Sequence, residues 1–142
     1  MIVEIKKNHP DAIIPQRGTD HSAGYDLATI DDLVIDPHST VMAHTGLSVA
    51  IPEGYFGAIF ARSGMAARES LRPANCVGVV DSDYRGEIMV AVHNDSNFER
   101  HVGRLNRIAQ LVIMPYLAVE FKQVPVLDYT DRGEGGFGST GR

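Results

Sequence analysis

Short apolar or alternating segments, each cut off by turn residues, recur along this chain and leave few folds open to it. The segments are Ile2–Ile5, Leu33–Ile35, Val41–Ala43, Leu47–Ile51, Phe56–Phe60, Val77–Val80, Glu87–His93, Arg107–Ile113 and Val119–Gln123. Between them stand Asp36-Pro37, Pro52-Glu53-Gly54, Arg85-Gly86 and Asn94-Asp95-Ser96-Asn97. Many short strands at this spacing predict an all-β sandwich, barrel or jelly roll. Only Ser63–Glu69 breaks the pattern: it is rich in helix formers and holds about two turns at most. The absence of tryptophan and an aromatic content of 7% make the core thin. Apolar strands left exposed would be an aggregation hazard unless paired, which favours a homo-oligomer.

A length of 142 residues suits one domain with a real core. The formal net charge of −5 argues against a nucleic-acid duplex or an anionic membrane as partner, since both reward cationic surfaces. A small anion is still within reach, because ten of the thirteen basic residues are arginines and a few suffice locally. The lone Cys76 excludes an internal disulfide and a Cys-based zinc cluster, and is expected to be a small buried apolar side chain. There is no apolar run near eighteen residues, so no membrane span is expected, and Met1–Lys7 lacks the basic-then-apolar order of a signal peptide. The expected location is cytoplasmic.

Five short constellations are candidates for chemistry. In the last ten residues, Gly133-Glu134-Gly135-Gly136-Phe137-Gly138-Ser139-Thr140-Gly141-Arg142, half are glycine, and Arg132 stands just before them. Such a stretch has little to bury and is costly to order. Its amides and hydroxyls can nonetheless wrap phosphate, Arg132 can clamp phosphate in a planar fork, and Phe137 offers a stacking face for a base. The segment is therefore either a frayed terminus or a mobile tail that closes over a nucleotide. Arg62-Ser63-Gly64 opens the helix, where free amides suit an anion; Ser63 as a simple N-cap is the alternative. Gly78-Val79-Val80-Asp81-Ser82-Asp83-Tyr84-Arg85-Gly86-Glu87 reads as a β-hairpin whose Asp81 is either a placed general base or, with Asp83, a turn former. In Ala23-Gly24-Tyr25-Asp26-Leu27, Asp26 is a hard oxygen ligand suited to Mg²⁺ or a turn residue. In Arg107-Ile108-Ala109-Gln110-Leu111, an inward Gln110 must find either a ligand oxygen or a backbone carbonyl. The six histidines have no metal-ligand spacing.

Taken in order, Ala-Gly-Tyr-Asp-Leu, Arg-Ser-Gly, Gly-Val-Val-Asp-Ser-Asp-Tyr-Arg-Gly, Arg-Ile-Ala-Gln-Leu and Arg-Gly-Glu-Gly-Gly-Phe-Gly-Ser-Thr-Gly closely resemble the five motifs of the trimeric dUTPases, from about Ile14 to Arg142. The third and fifth are the most specific. The resemblance implies a distorted jelly roll of the β-clip, dUTPase-like type, with one short helix. Residues 1–130 would form this domain and residues 131–142 a flexible closing tail. It implies hydrolysis of dUTP to dUMP and pyrophosphate with Mg²⁺, limiting uracil in DNA and supplying dUMP for dTMP synthesis, in a homotrimer with active sites between subunits. By the third motif, Asp81 would activate the attacking water and Tyr84 would lie under the deoxyribose and exclude a 2′-hydroxyl. Asn75, Gly78, Val79 and Val80 would line the uracil pocket, with Met89 nearby. By the second, Arg62, Ser63 and Gly64 would hold phosphates. By the first, Asp26 would bind Mg²⁺ through water, and by the fourth, Gln110 would contact the phosphate chain. By the fifth, Arg132 would be an arginine finger, Phe137 would stack on uracil, and Gly138, Ser139 and Thr140 would grip the γ-phosphate.

Two positions depart from the family pattern: Ala61 stands where proline is frequent, and Asn106 where an acidic residue is usual. Three other functions share parts of this pattern. A dCTP deaminase has a similar fold and phosphate site but lacks the glycine-rich tail with Phe137. A regulatory nucleotide-binding module tends to carry an insert that is absent here, and a structural jelly-roll subunit would leave the tail and the carboxylates unexplained.

Overall fold

The nine-residue strand that ends the ordered β-structure organises the rest. In the computed structural model, which describes residues 1–138, twelve strands run β1 Glu4–Lys7, β2 Gln16–Arg17, β3 Tyr25–Ala28, β4 Leu33–Ile35, β5 Thr40–His44, β6 Leu47–Ala50, β7 Tyr55–Phe60, β8 Leu71–Pro73, β9 Val77–Val80, β10 Met89–Asn94, β11 Arg100–Val102 and β12 Arg107–Pro115. β12 is long, β-branched and apolar, which suits a strand paired on both edges. It lies between β3 and β7 in a five-stranded sheet of order β2-β3-β12-β7-β9. The other sheets are β5-β10-β8, β1-β6 and β4-β11. All the pairings are antiparallel.

All four sheets turn apolar side chains into one core. Leu27, Ile59, Val80 and Leu111 enter it from the large sheet; Ala43, Leu71, Val90 and Val92 from the three-stranded sheet; Leu47 and Val49 from β6; Leu33, Ile35 and Val102 from the small β4–β11 pair. Aliphatic side chains of this size leave room only if backbones approach closely. Gly57 on β7 supplies one such approach: a Cβ there would sit 2.9 Å from Leu111 Cδ1 and 3.0 Å from Ile51 Cδ1. The all-β architecture with one short helix is as expected.

The short helix spans the expected residues 63–69, with Met65–Glu69 wound as a π-helix and the turn stopping at Ser70, which takes φ 57°. Three local expectations are corrected. The Gly78–Glu87 segment is no hairpin, because β9 pairs with β7 and β10 pairs with β5 and β8. Each has its ladder elsewhere, so the segment crosses between sheets. Cys76 is exposed, since the turn following Pro73 puts it in a left-handed conformation at φ 62°. Val119–Gln123 forms no strand; Phe121 is 94% and Leu127 80% exposed. An alternating segment becomes a strand only when an edge is available to pair with it, and this arm pairs with no strand of its own chain.

One buried polar side chain holds several connections at once. Asn94 closes β10 and is completely buried. Its Nδ2 donates to the carbonyls of Ile35 (3.0 Å), Asp36 (3.2 Å) and Phe98 (2.7 Å), while Oδ1 accepts from the Ser96 amide and hydroxyl at 2.9 and 2.7 Å. Asn94→Asp keeps the shape but sets a carboxylate against three carbonyls. Unsatisfied buried groups cost about 1–3 kcal/mol, more when charged. Asn94→Asp should therefore lower the unfolding free energy by roughly 3 kcal/mol at neutral pH. Urea unfolding at fixed protein concentration measures this; a midpoint equal to that of the native sequence would contradict it.

Candidate functional site

The register of the large sheet sets out the candidate residues. Asp26 on β3 is the Cα partner of Gln110 on β12, Gln110 that of Phe60 on β7, and Phe60 that of Val77 on β9. The first, second and fourth motifs thus meet at one end of the sheet. There Arg62 Nε donates to Asp26 Oδ1 (2.9 Å) and Arg107 Nη1 to Asp26 Oδ2 (3.1 Å). Asp26 and Arg62 are both largely shielded, with side chains about a quarter exposed. Their ion pair is correspondingly stronger than a fully solvated one. Gln110 Nε2 donates to the Ala61 carbonyl at 2.9 Å, so Gln110 takes the backbone-carbonyl alternative in the free protein. Gly24 permits this, because a Cβ there would overlap the Gln110 amide oxygen.

Arg62, Arg107, Met65, Glu69, His101 and Asn106 line a cavity of about 190 Å³ at this end. Asn106 carries no charge, and Arg107 finds its anion in Asp26 instead. Ser63 and Gly64 lie at the start of the helical segment, which has no side-chain cap, so Ser63 does not act as one and its hydroxyl is not spent there. Gly64 has nothing within 4 Å of where a Cβ would be, and this backbone is open to approach.

The third motif builds a second cavity, of about 220 Å³, along the outer edge of β9. Asn75, Gly78, Val79, Val80, Asp81, Tyr84 and Met89 all line it. Its volume is below the ~300 Å³ of a drug-sized pocket and suits one base with its sugar. Because β9 is an edge strand, alternate amides and carbonyls point away from β7 toward this cavity. Met42, Ile59, Glu87 and Ile88 also line it. Sequence reasoning missed them, since Met42 and Ile59 come from other strands and carry no motif. Asp81 follows the last residue of β9 and also borders a wider, acidic cleft with Glu53 and Asp83.

The segment leading into this cavity is braced from outside. Arg72 forks onto Asp95 (2.7 and 3.0 Å) and its Nη1 donates to the carbonyls of Pro73 and Ala74, both 3.2 Å. These hydrogen bonds hold the Asp95 carboxyl below its usual range and raise Arg72 in return. The following turn leaves Asn75 at the mouth of the cavity.

The two ends are far apart. Arg62 lies two residues beyond Phe60 and Asp81 four residues beyond Val77 in the opposite direction. At about 3.3 Å per residue they are separated by roughly 15–20 Å along the strands. The described residues of the fifth motif line neither cavity. Arg132 Nε donates to the Gly135 carbonyl at 2.9 Å, and Phe137 is fully exposed at φ 49°. Gly138 takes φ 89°, and Ser139 and Thr140 lie outside the described residues. Among the described residues no cluster of three or more His, Cys, Asp or Glu side chains could hold a metal. No helix is long and apolar enough to cross a membrane.

The chain is similar to known proteins over nearly its whole length. The family model described as dUTPase matches residues 10–141. The deoxyuridine 5'-triphosphate nucleotidohydrolase of Nautilia profundicola is 43% identical over 142 residues, covering 100% of both chains. That of Helicobacter pylori is 42% identical, covering 99% of this chain and 97% of its own. Among solved structures, the dUTPase of Staphylococcus bacteriophage 80alpha with dUPNHPP superposes with a TM-score of 0.92 at 28% identity, covering 99% of each chain. By motif order, by fold and by these matches, the chain belongs to the dUTPase family.

Proposed function

We propose that the protein hydrolyses dUTP to dUMP and pyrophosphate, and that each active site is shared between copies of the chain. The observation that carries this reading is the cavity on the free edge of β9, where Asp81 stands over a pocket lined by backbone and by Tyr84. A fixed row of amides and carbonyls separates uracil from cytosine, because the two bases exchange donor and acceptor at one ring position and the wrong one leaves a buried group unpaired. Asp81 would take the proton of a water attacking the α-phosphate. Tyr84, under the sugar, would leave no room for a 2′-hydroxyl.

A triphosphate also needs positive charge, and the β9 cavity has none. Arg62, with the open backbone of Ser63 and Gly64, would supply it, and Gln110 would turn its amide from Ala61 to the phosphate chain. Those groups lie far beyond the reach over which a base and a cationic clamp act on one phosphorus centre. A second copy presenting its Arg62 end to this copy's Asp81 end solves the mismatch. The apolar arm from Leu117 to Tyr129, which pairs with no strand among the described residues, gives such copies something to bury. A homotrimer accommodates three equivalent sites of this kind.

The family implies Mg²⁺. Both Asp26 oxygens already accept from arginines, and the described residues offer no multi-carboxylate cage. That donor set fits an ion held mainly by substrate phosphates and water, with Asp26 touching it through water. When bound, the ion would neutralise charge on the phosphate chain. Residues 131–142 would close over the nucleotide, with Arg132 meeting charge that develops in the transition state, Phe137 stacking on uracil, and Gly138, Ser139 and Thr140 at the terminal phosphate. The nucleotide pool it would act on places the reaction in the cytoplasm.

Pyrophosphate release measured across dUTP, dCTP, dTTP and UTP tests the activity: dUTP should dominate, and ammonia release from dCTP would point to a deaminase instead. Asp81→Asn should bind dUTP but turn it over about 10²–10⁴-fold more slowly, as expected for loss of a general base. A variant keeping half the native rate would remove Asp81 from that role. Shared sites make a sharper claim. Asp81→Asn and Arg62→Ala should each be nearly inactive, yet co-refolded as a mixture they should recover about one quarter of native activity, since random assembly pairs the intact halves in that fraction of sites. No recovery would mean that each site lies within one protomer. Truncation after Asp131 should leave the fold intact by circular dichroism and sharply reduce turnover; native turnover in the truncated protein would exclude a closing tail.

A further inference from the structure

The ring that faces the sugar is not held by its own loop alone. Tyr84 Oη donates to the Glu87 main-chain carbonyl at 3.0 Å. The ring lies across Gly86 so closely that a Cβ there would overlap Oη and Cζ and stand 2.9 Å from Cε2. The two residues under the ring are in turn fastened to a different part of the fold. Glu87 Oε1 accepts from the Gly46 amide at 2.7 Å, and Oε2 pairs with His44 Nδ1 at 3.2 Å. The Gly86 carbonyl accepts from Ser48 Oγ at 2.9 Å, and Ser48 Oγ accepts from Asn8 Nδ2 at 2.8 Å. The turn joining β5 and β6 is itself rigid. Gly46 has φ +67°, and a Cβ there would press on His9 at 2.9 Å and Ala12 at 3.0 Å. Thr45 is buried, with Oγ1 donating to the Ile88 carbonyl at 2.6 Å.

We propose that Glu87 is a positioning residue for sugar discrimination, acting by tying the Tyr84 platform to the β5–β6 turn. This rests on the reading of Tyr84 as the surface beneath the deoxyribose. The Glu87 side chain is only 28% exposed, so its two bonds are worth more than the same contacts in open water. Excluding a hydroxyl by contact requires a surface that does not give. A ring that shifts by a few tenths of an ångström accommodates the extra oxygen and loses the distinction. Gly78, Val79 and Val80, the backbone wall of the pocket, are held separately, through the ladder of β9 with β7. Sugar choice and base choice therefore depend on different fastenings, and Glu87 belongs to the first.

The separation gives the test. kcat/KM is measured for dUTP, UTP and dCTP in the native protein, Glu87→Ala, Glu87→Gln and Tyr84→Phe. Glu87→Ala and Tyr84→Phe should each lower the dUTP over UTP preference about tenfold, the equivalent of one hydrogen bond, and leave the dUTP over dCTP preference unchanged. Glu87→Gln keeps an oxygen for the Gly46 amide and should restore most of the preference. Tyr84→Phe alters nothing in the tie between Glu87 and the turn, so it serves even if Glu87→Ala folds poorly. The Tyr84 ring-flip rate in the ligand-free protein, read by NMR, is independent of any substrate and should rise in Glu87→Ala. An unchanged ring-flip rate, or loss of both preferences together, overturns the inference. A native protein that hydrolyses UTP as readily as dUTP overturns the reading of Tyr84 on which it rests, whatever the ring does.

Discussion

The pairing of β7 on both edges is the constraint on which the rest depends. β12 lies against one edge of β7 and β9 against the other, so Gln110, Phe60 and Val77 fall in one row and Asp26 continues it. A one-residue slip in either ladder would turn the side chains to the opposite face. Apolar residues at Ile59, Val80 and Leu111 prevent that slip by burying one face. The same register that gathers Asp26, Arg62, Arg107 and Gln110 also carries Asp81 away from them. The core thus decides where charge is found, and it sets the Asp26–Arg62–Arg107 cluster apart from Asp81.

Much of this was legible from residues whose local chemistry leaves one solution. Leu33–Ile35 and Val77–Val80 are short apolar runs between turn residues, and both are strands over those same residues. Asn75, Gly78, Val79, Val80, Asp81, Tyr84 and Met89, singled out in the sequence, line one cavity. What was not legible is what depends on a partner. Gln16–Arg17, Leu71–Pro73 and Arg100–Val102 are too short or too polar to announce themselves, and become strands because β3, β10 and β4 offer edges. Tyr25–Ala28 was noticed as a motif and missed as a strand for the same reason. Val119–Gln123 is the converse case, with the right alternation and no edge. Glu87 reads as the first residue of a strand, and nothing in its neighbours says that its carboxylate reaches the Gly46 amide, forty-one residues earlier in the chain.

The electrostatics of the Asp26 cluster follow from the same division. Two arginines brought near one another without ligand repel and would swing into solvent. Asp26 holds both, each on its own oxygen, and so keeps two guanidinium groups in place. Preorganised charge costs less at the moment of reaction than charge that must be gathered. An isolated carboxylate with no arginines would suit direct metal binding better than this one does, and the arrangement therefore favours a cation brought in by the phosphates themselves.

Strand edges link substrate recognition to assembly. Among the described residues the outer edge of β9 pairs with no strand and faces a cavity of about 220 Å³. There too β1 pairs only with β6, and the apolar arm after Tyr116 pairs with no strand. An open edge is a template for whatever extended partner reaches it first. Where that partner is a flat heterocycle with its own donors and acceptors, the edge reads a base. Where it is a second chain, the edge builds an oligomer. On β9, Gly78 keeps the wall of that cavity free of side chain, because a Cβ there would press on Ile59 Cβ at 3.2 Å and reach Asn75 Nδ2 at 3.6 Å.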